Sequence, residues 1–301
     1  MILTLSAPRG GQTVREAARR ELLVSATLLR RLKAADAIRV NGERAFADRR
    51  LAAGDTLTLD LSAAEPPCDL VPERGHVEVL WENEGLIAVN KPCGMIVHPT
   101  HARYTGTLSN LVAGYLPEPV CHAVNRLDRD TSGVVLFAKN AYWKDLASRA
   151  LDKSGEKTYL ALICGLPAPL SGTVDAPIDR REAGALLRVV SETGKCAVTH
   201  YETIASDGAC SLVRLRLETG RTHQIRVHMQ HIGCPVLGDG LYRTDASAAL
   251  SARLGLTAQA LHAQTLAFGL PFNRGHVTVS APVRRPDFLK AMCELGYAAE
   301  F

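Results

Sequence analysis

The chain of 301 residues contains no run of about 20 apolar residues, the length needed to span a bilayer. Its N-terminus, MILTLSAPRGGQTVREAARR, has no basic region ahead of an apolar core and does not read as a signal peptide. Both absences predict a cytoplasmic protein. Eight cysteines are scattered without a CxxC pair, which argues against a disulfide framework or a zinc site. No GxGxxG, no phosphate-binding GxxxxGK[ST] loop and no HExxH is present, so no nucleotide, flavin or metal cofactor is expected. Acidic excess is missing from the first fifth of the chain. Residues 1–60 carry 11 Lys/Arg against 7 Asp/Glu, and the remainder carries 24 against 24, so the whole net charge of +4 lies at the N-terminus. Such a patch suits phosphate-backbone binding, and equally a solvated basic surface.

With 47% hydrophobic and 22% charged residues, a sizeable core and about two domains are expected. Thr13 and Glu16 have capping-box spacing ahead of a helix through Leu23. Ser25 can cap a second helix over 26–35, with Leu28, Leu29 and Leu32 as its apolar face and Arg30, Arg31 and Lys33 as its charge. Ile38-Arg39-Val40 runs into Asn41-Gly42, a hairpin signal, and TLTLDL alternates as a strand. The proline-containing stretch 63–76 reads as a linker. From Val77 the chain is strand-rich, with helices over 140–152 and 222–232. Strands and helices without a βαβ rhythm predict an α+β fold: a largely antiparallel mixed sheet with flanking helices over 77–301, and a small α+β unit over 1–62.

Two polar clusters carry candidate chemistry. In NRLDRDTSG (125–133), Arg126 and Asp128 are two apart and share a face if extended. A charged hairpin turn would look the same. In GRTHQIRVHMQH (220–231), Thr222 can cap a helix that places Arg221 just before its N-terminus, while His223, His228 and His231 lack the companions of a metal set. Tyr159 lies on the apolar strand KTYLALICG, where a core tyrosine is the default. A glycoside-type hydrolase would need a second carboxylate near Asp128, and Asp130 is close in sequence.

The ordered segments VNKPCGMIVHP, NRLDRDTSGVVLFAKN, EKTYLALICG, LETGRTHQIRVHM, GDGLY and LHAQTLAF resemble the successive motifs of the RluA-type pseudouridine synthases over 77–285. Residues 13–60 resemble the RNA-binding domain shared with small-subunit ribosomal protein S-four. The resemblance implies an isomerase that converts specific uridines of structured RNA, large-subunit ribosomal RNA first among candidates and transfer RNA second. A monomer without a cofactor is expected, and the resemblance implies Asp128 as the essential aspartate, Arg126 as the group that displaces the target base, Tyr159 packed on the flipped uracil, and Arg221 paired with Asp128. Arg30, Arg31 and Lys33 would grip RNA. A catalytically inactive RNA-binding or ribosome-assembly factor on the same fold is the alternative. The sequence departs from the family pattern at Asn125, where histidine is usual, at Arg243 for glycine, and at Leu270-Pro271 for His-Pro.

Overall fold

The computed structural model describes residues 1–7, 10–100, 103–182 and 186–297, so 298–301 of the expected catalytic span lie outside the described residues. The N-terminal unit comprises β1 (Ile2–Ser6), α1 (Val14–Arg20), α2 (Ala26–Ala34), β2 (Ile38–Val40), β3 (Glu43–Arg44) and β4 (Thr56–Asp60). The Thr13–Glu16 capping box forms, and Ser25 accepts from the Leu28 N–H. Asn41 and Gly42 both take positive φ, as a two-residue hairpin turn requires. The four strands pair in the order β1-β4-β2-β3.

The remainder comprises β5 (Val79–Glu82), β6 (Leu86–Lys91), α3 (Leu108–Tyr115), β7 (His122–Ala123), β8 (Ser132–Ala138), α4 (Ala141–Ser154), β9 (Glu156–Cys164), β10 (Ser171–Asp175), β11 (Ile178–Arg180) and β12 (Arg188–Val190). It continues through β13 (Val198–Ser206), β14 (Cys210–Leu217), α5 (Gln224–His231), α6 (Asp245–Arg253), β15 (Leu261–Gly269), β16 (His276–Ser280) and α7 (Pro286–Glu294). Ten strands form one sheet in the order β10-β13-β14-β9-β15-β8-β6-β5, with β16 on β15 and β7 on β8. The pairings are antiparallel except β15 with β8. The expected α+β class is therefore the observed one. Among the described residues no helix is long and apolar enough to cross a membrane.

Period-two alternation sorts the sheet's side chains into layers. On β9, Leu160 and Leu162 pack with Phe288 of α7, whereas Tyr159, Ala161 and Ile163 share a cluster with Ile225 and Met229 of α5. Tyr159 and α5 thus lie on one face of the sheet. Gly133 takes φ +114° where β8 meets β15, and a Cβ there would fall 2.1 Å from the Ala263 carbonyl oxygen. The turn after Asp128 therefore needs glycine.

The N-terminal unit does not stand apart. Leu28, Leu29 and Leu32 belong to one continuous core with Tyr142, Trp143 and Leu146 of α4. The Tyr142 hydroxyl donates to the Leu22 carbonyl (2.7 Å), and Arg149 donates to that of Leu23 (2.7 Å). Residues 65–78 lack helix and strand, as a linker would, yet they are pinned. Glu65 accepts the Ala141 N–H and contacts His122, and Glu73 accepts the Gly106 N–H through both oxygens.

Candidate active site

The loop 125–131 lies between β7 and β8 and is fixed from three sides. Asn125 donates to the Val134 carbonyl (3.3 Å) and accepts the Leu136 N–H (2.7 Å), so this departure from the family pattern anchors the loop to β8. Lys91, fully buried, donates to the carbonyls of Pro92, Met95 and Arg129 at 2.7–2.8 Å. Burial pulls the Lys91 pKa down to about 8. Thr131 accepts from Gln259 (2.7 Å), which ties the turn to the residues before β15.

This framing delivers Asp128 to the lining of a cleft of about 880 Å³. Tyr159, Arg126, Arg221, Lys144, Lys157 and His98 also line the cleft. A smaller pocket of about 60 Å³ at its base joins Asp128 and Tyr159 to His223 and Arg226. The Asp128 side chain is 26% exposed. Its Oδ2 accepts from Nη1 of Arg226 at 2.9 Å, and among the described residues no hydrogen bond falls on Oδ1. Arg226 is buried and bidentate to the fully buried Asp239, through Nε (2.6 Å) and Nη2 (2.9 Å). Asp239 Oδ1 also accepts the backbone N–H groups of Leu241 and Tyr242. The Arg226 guanidinium stacks 4.9 Å above the Tyr242 ring. Burial opposes the Arg226 charge, but its two carboxylate partners outweigh burial and raise its pKa. Tyr159 is pushed above the ordinary phenol value by burial and then by the Asp128 charge, so its hydroxyl keeps its proton.

The expected partner of Asp128 needs correction. Arg226, and not Arg221, pairs with it. Arg221 precedes α5, is exposed, and donates through Nε to the Cys196 carbonyl (2.9 Å). Arg226 is buried on α5, whereas Arg221 lies in the loop ahead of the N-cap residue His223. Thr222 does not cap α5 either. His223 occupies that position with left-handed backbone (φ 59°), a conformation that costs of order 1–3 kcal/mol. Gln224 meets the loop instead, accepting from the Arg221 N–H and the Thr219 hydroxyl.

The three histidines of this segment diverge. His228 is buried between the Thr199 hydroxyl and the Ala176 carbonyl, His223 faces Asp128, and His231 ends the helix. Asp130 pairs with its neighbour Arg129 and is absent from the pocket lining, so it does not supply a second carboxylate. Arg30, Arg31 and Lys33 are exposed on α2, as their alternation with buried leucines predicts.

A family model described as RNA pseudouridylate synthase matches residues 85–231. The chain is 35% identical over 268 residues to "Uncharacterized RNA pseudouridine synthase YhcT" of Bacillus subtilis, covering 87% of this chain and 85% of that protein. It belongs to the RNA pseudouridine synthase family. It is also 36% identical over 264 residues to "Ribosomal large subunit pseudouridine synthase D" of Xanthomonas campestris pv. campestris, covering 84% and 79%. Among solved structures, human RNA Pseudouridylate Synthase Domain Containing 4 aligns with a TM-score of 0.58 and 27% identity, over 73% of this chain and 93% of that one. The reaction class of this RNA pseudouridine synthase is therefore isomerisation. Asp128, Tyr159 and Arg226 lie inside the matched segment, whereas Asp239 and Tyr242, which hold Arg226, lie beyond it.

Proposed function

We propose that the chain isomerises specific uridines of large-subunit ribosomal RNA, with Asp128 acting at the reacting sugar. One observation carries the reading: among the described residues Asp128 Oδ1 has no hydrogen-bond partner, in a cleft also lined by Tyr159 and cations. The ribosomal substrate is supported by the named activity of relatives such as the Xanthomonas protein. Pseudouridine formation breaks the bond from sugar to base nitrogen, turns the base and rejoins it through carbon. It is redox-neutral, so the chemistry requires no cofactor.

A stacked uridine has to leave its stack, at a cost of a few kcal/mol. Arg126, exposed at the cleft, takes the vacated space, and Tyr159 packs under the extruded ring. Asp128 then meets the electron-poor anomeric centre, as a nucleophile at that carbon or a base at its neighbour. Arg226 holds the carboxylate aimed, the task expected of Arg221. Arg221, with Lys144 and Lys157, meets the phosphates flanking the target. Residues 1–62 form an RNA-gripping unit through Arg30, Arg31 and Lys33, residues 63–76 connect it, and 77–301 carry the reaction. The protein works as a monomer in the cytoplasm, where its eight free cysteines would remain reduced.

Site-resolved mapping of pseudouridine in total RNA, from cells with and without the gene, tests this. Loss of one or a few sites in large-subunit ribosomal RNA is expected. An unchanged ribosomal map would overturn the substrate assignment.

A further inference from the structure

His223 holds a position that helix formation alone does not explain. It sits at the N-cap of α5 without a capping hydrogen bond from its side chain, and its φ of 59° is rare for a residue other than glycine. The ring stands edge-on to Tyr242, with centroids 5.6 Å apart and planes at 77°. The Tyr242 hydroxyl lies 2.9 Å from Nδ1. That hydroxyl already accepts the Arg188 backbone N–H at 2.8 Å, and Tyr242 is 1% exposed. A buried hydroxyl proton needs an acceptor, and among the described residues Nδ1 is the acceptor in reach. Nδ1 therefore accepts, and Nε2 carries the ring proton. Nε2 lies 3.8 Å from Oδ2 of Asp128, the same oxygen that takes Arg226.

His228, one turn further along α5, shows the contrast. Both its ring nitrogens are satisfied, by Thr199 and by the Ala176 carbonyl, as for a histidine that only holds the fold together. His223 has one nitrogen satisfied and the other aimed at the reacting carboxylate, in the wall of the same pocket.

We propose that His223 is a positioning residue for the isomerisation: Tyr242 fixes its tautomer, and its Nε2–H, together with Arg226, holds Oδ2 of Asp128 so that Oδ1 faces the sugar. The proposal rests on the reading that Asp128 acts at the sugar. Arg226 donates to Oδ2 at 2.9 Å, His223 Nε2 stands 3.8 Å from the same oxygen, and among the described residues no donor meets Oδ1. In the proposed role the 3.8 Å gap shortens to a hydrogen bond on substrate binding, as active-site contacts often do. Hydrogen bonds run from the Arg188 N–H of β12 through the Tyr242 hydroxyl to His223, which ends 3.8 Å from Asp128.

Two measurements test it. Long-range 1H–15N spectra of the folded full chain, assigned with His223→Asn, should show His223 as the Nε2–H tautomer, becoming mixed in Tyr242→Phe. An Nδ1–H tautomer in the unsubstituted protein would overturn the proposal. Single-turnover rates on a large-subunit ribosomal RNA transcript give the second. Asparagine tolerates the left-handed backbone but falls short of Asp128, so His223→Asn should lose roughly tenfold or more in rate, as supporting contacts of reactive groups do. RNA affinity and melting temperature should stay unchanged. His223→Gln, whose amide nitrogen reaches the Nε2 position, should recover part of the loss. A wild-type rate in His223→Asn, or equal losses in both variants accompanied by a lowered melting temperature, would overturn the proposal. Asp128→Asn is run alongside, and a rate retained there overturns the reading of Asp128 instead, while the spectra still decide the tautomer.

Discussion

Arg226 has two carboxylates and an aromatic ring within reach, whereas Arg30, Arg31 and Lys33 face solvent. Around Asp128 the charges interlock: Arg226 is shared by Asp128 and Asp239, and Asp239 is held by two backbone N–H groups. On α2 the three cations are exposed, and among the described residues none makes an ion pair. The Ser25 cap and the leucines beneath fix that helix. The contrast separates two uses of positive charge. A reacting carboxylate needs one geometry, set in advance, at a site shielded from water. A phosphate backbone needs charge density, and long mobile side chains deliver it without fixed partners.

The largest test of this contrast sets Arg226 against Arg221. Arg226→Ala leaves two carboxylates without their cation, one of them fully buried, and should lower stability by about 3–5 kcal/mol. Pseudouridine formation should fall by about 10²–10³-fold, as when a preorganised donor is removed. Arg226→Lys, which keeps the charge without the bidentate fork, separates misfolding from mispositioning. Arg221→Ala should change stability by less than about 0.5 kcal/mol and act mainly on RNA affinity. Urea melts and single-turnover rates check both, and equal effects at the two positions would break the comparison.

A smaller effect is expected at Arg126. Stacking of one base is worth about 1–3 kcal/mol. Arg126→Ala should therefore cost up to that much more on a uridine stacked in folded RNA than on one already unstacked. Equal losses on the two substrates would move Arg126 from base extrusion to the positioning of Asp128.

How far the molecule can be read from its sequence follows the same division. The helix carrying Arg30, Arg31 and Lys33 is legible because cap, leucine spacing and charge all lie within about ten residues. The Asn41-Gly42 hairpin and the alternating strands are legible for the same local reason. Asp128 and Tyr159 stand out through motif resemblance rather than periodicity. Arg226 escapes a sequence reading because GRTHQIRVHM holds two arginines and the choice depends on where α5 begins. A left-handed His223 sets that start, and no local pattern announces it. The partner that fixes Arg226, Asp239, comes from the separate segment GDGLY, so only the fold joins them. Proline content marks 63–76 as irregular but cannot reveal that Glu65 and Glu73 fasten it.

On α2, replacing Arg30, Arg31 and Lys33 by alanine should flatten the slope of log affinity against log salt. The expected change is about 0.7–0.9 for each phosphate that is no longer neutralised. An unchanged slope in a filter-binding titration would remove this face from the RNA footprint.

The smallest effect concerns acid. Burial lowers the pKa of His223, His228 and His262, each held as a neutral ring. Because the folded values lie below the ordinary value of about 6.5, the unfolded chain binds more protons as pH falls. Stability from these rings is complete above about 6.5 and is lost on acidification below it. His262 lies between Ser132 and the Ala281 carbonyl, so His262→Gln, which cannot titrate, should show a shallower fall of melting temperature between about pH 6.5 and 5. An identical slope would show that His262 does not contribute to the acid loss.

The central claim is that Asp128 is the reacting group and that the cleft around it serves to aim it. Asp128→Asn preserves size and removes charge and basicity, and its effect on pseudouridine formation in a large-subunit ribosomal RNA transcript tests that claim most directly. A neutral amide can neither attack the anomeric carbon nor take a proton from its neighbour. Product should fall below detection while RNA binding persists, since most affinity comes from phosphate contacts elsewhere. Wild-type turnover in Asp128→Asn would contradict the account.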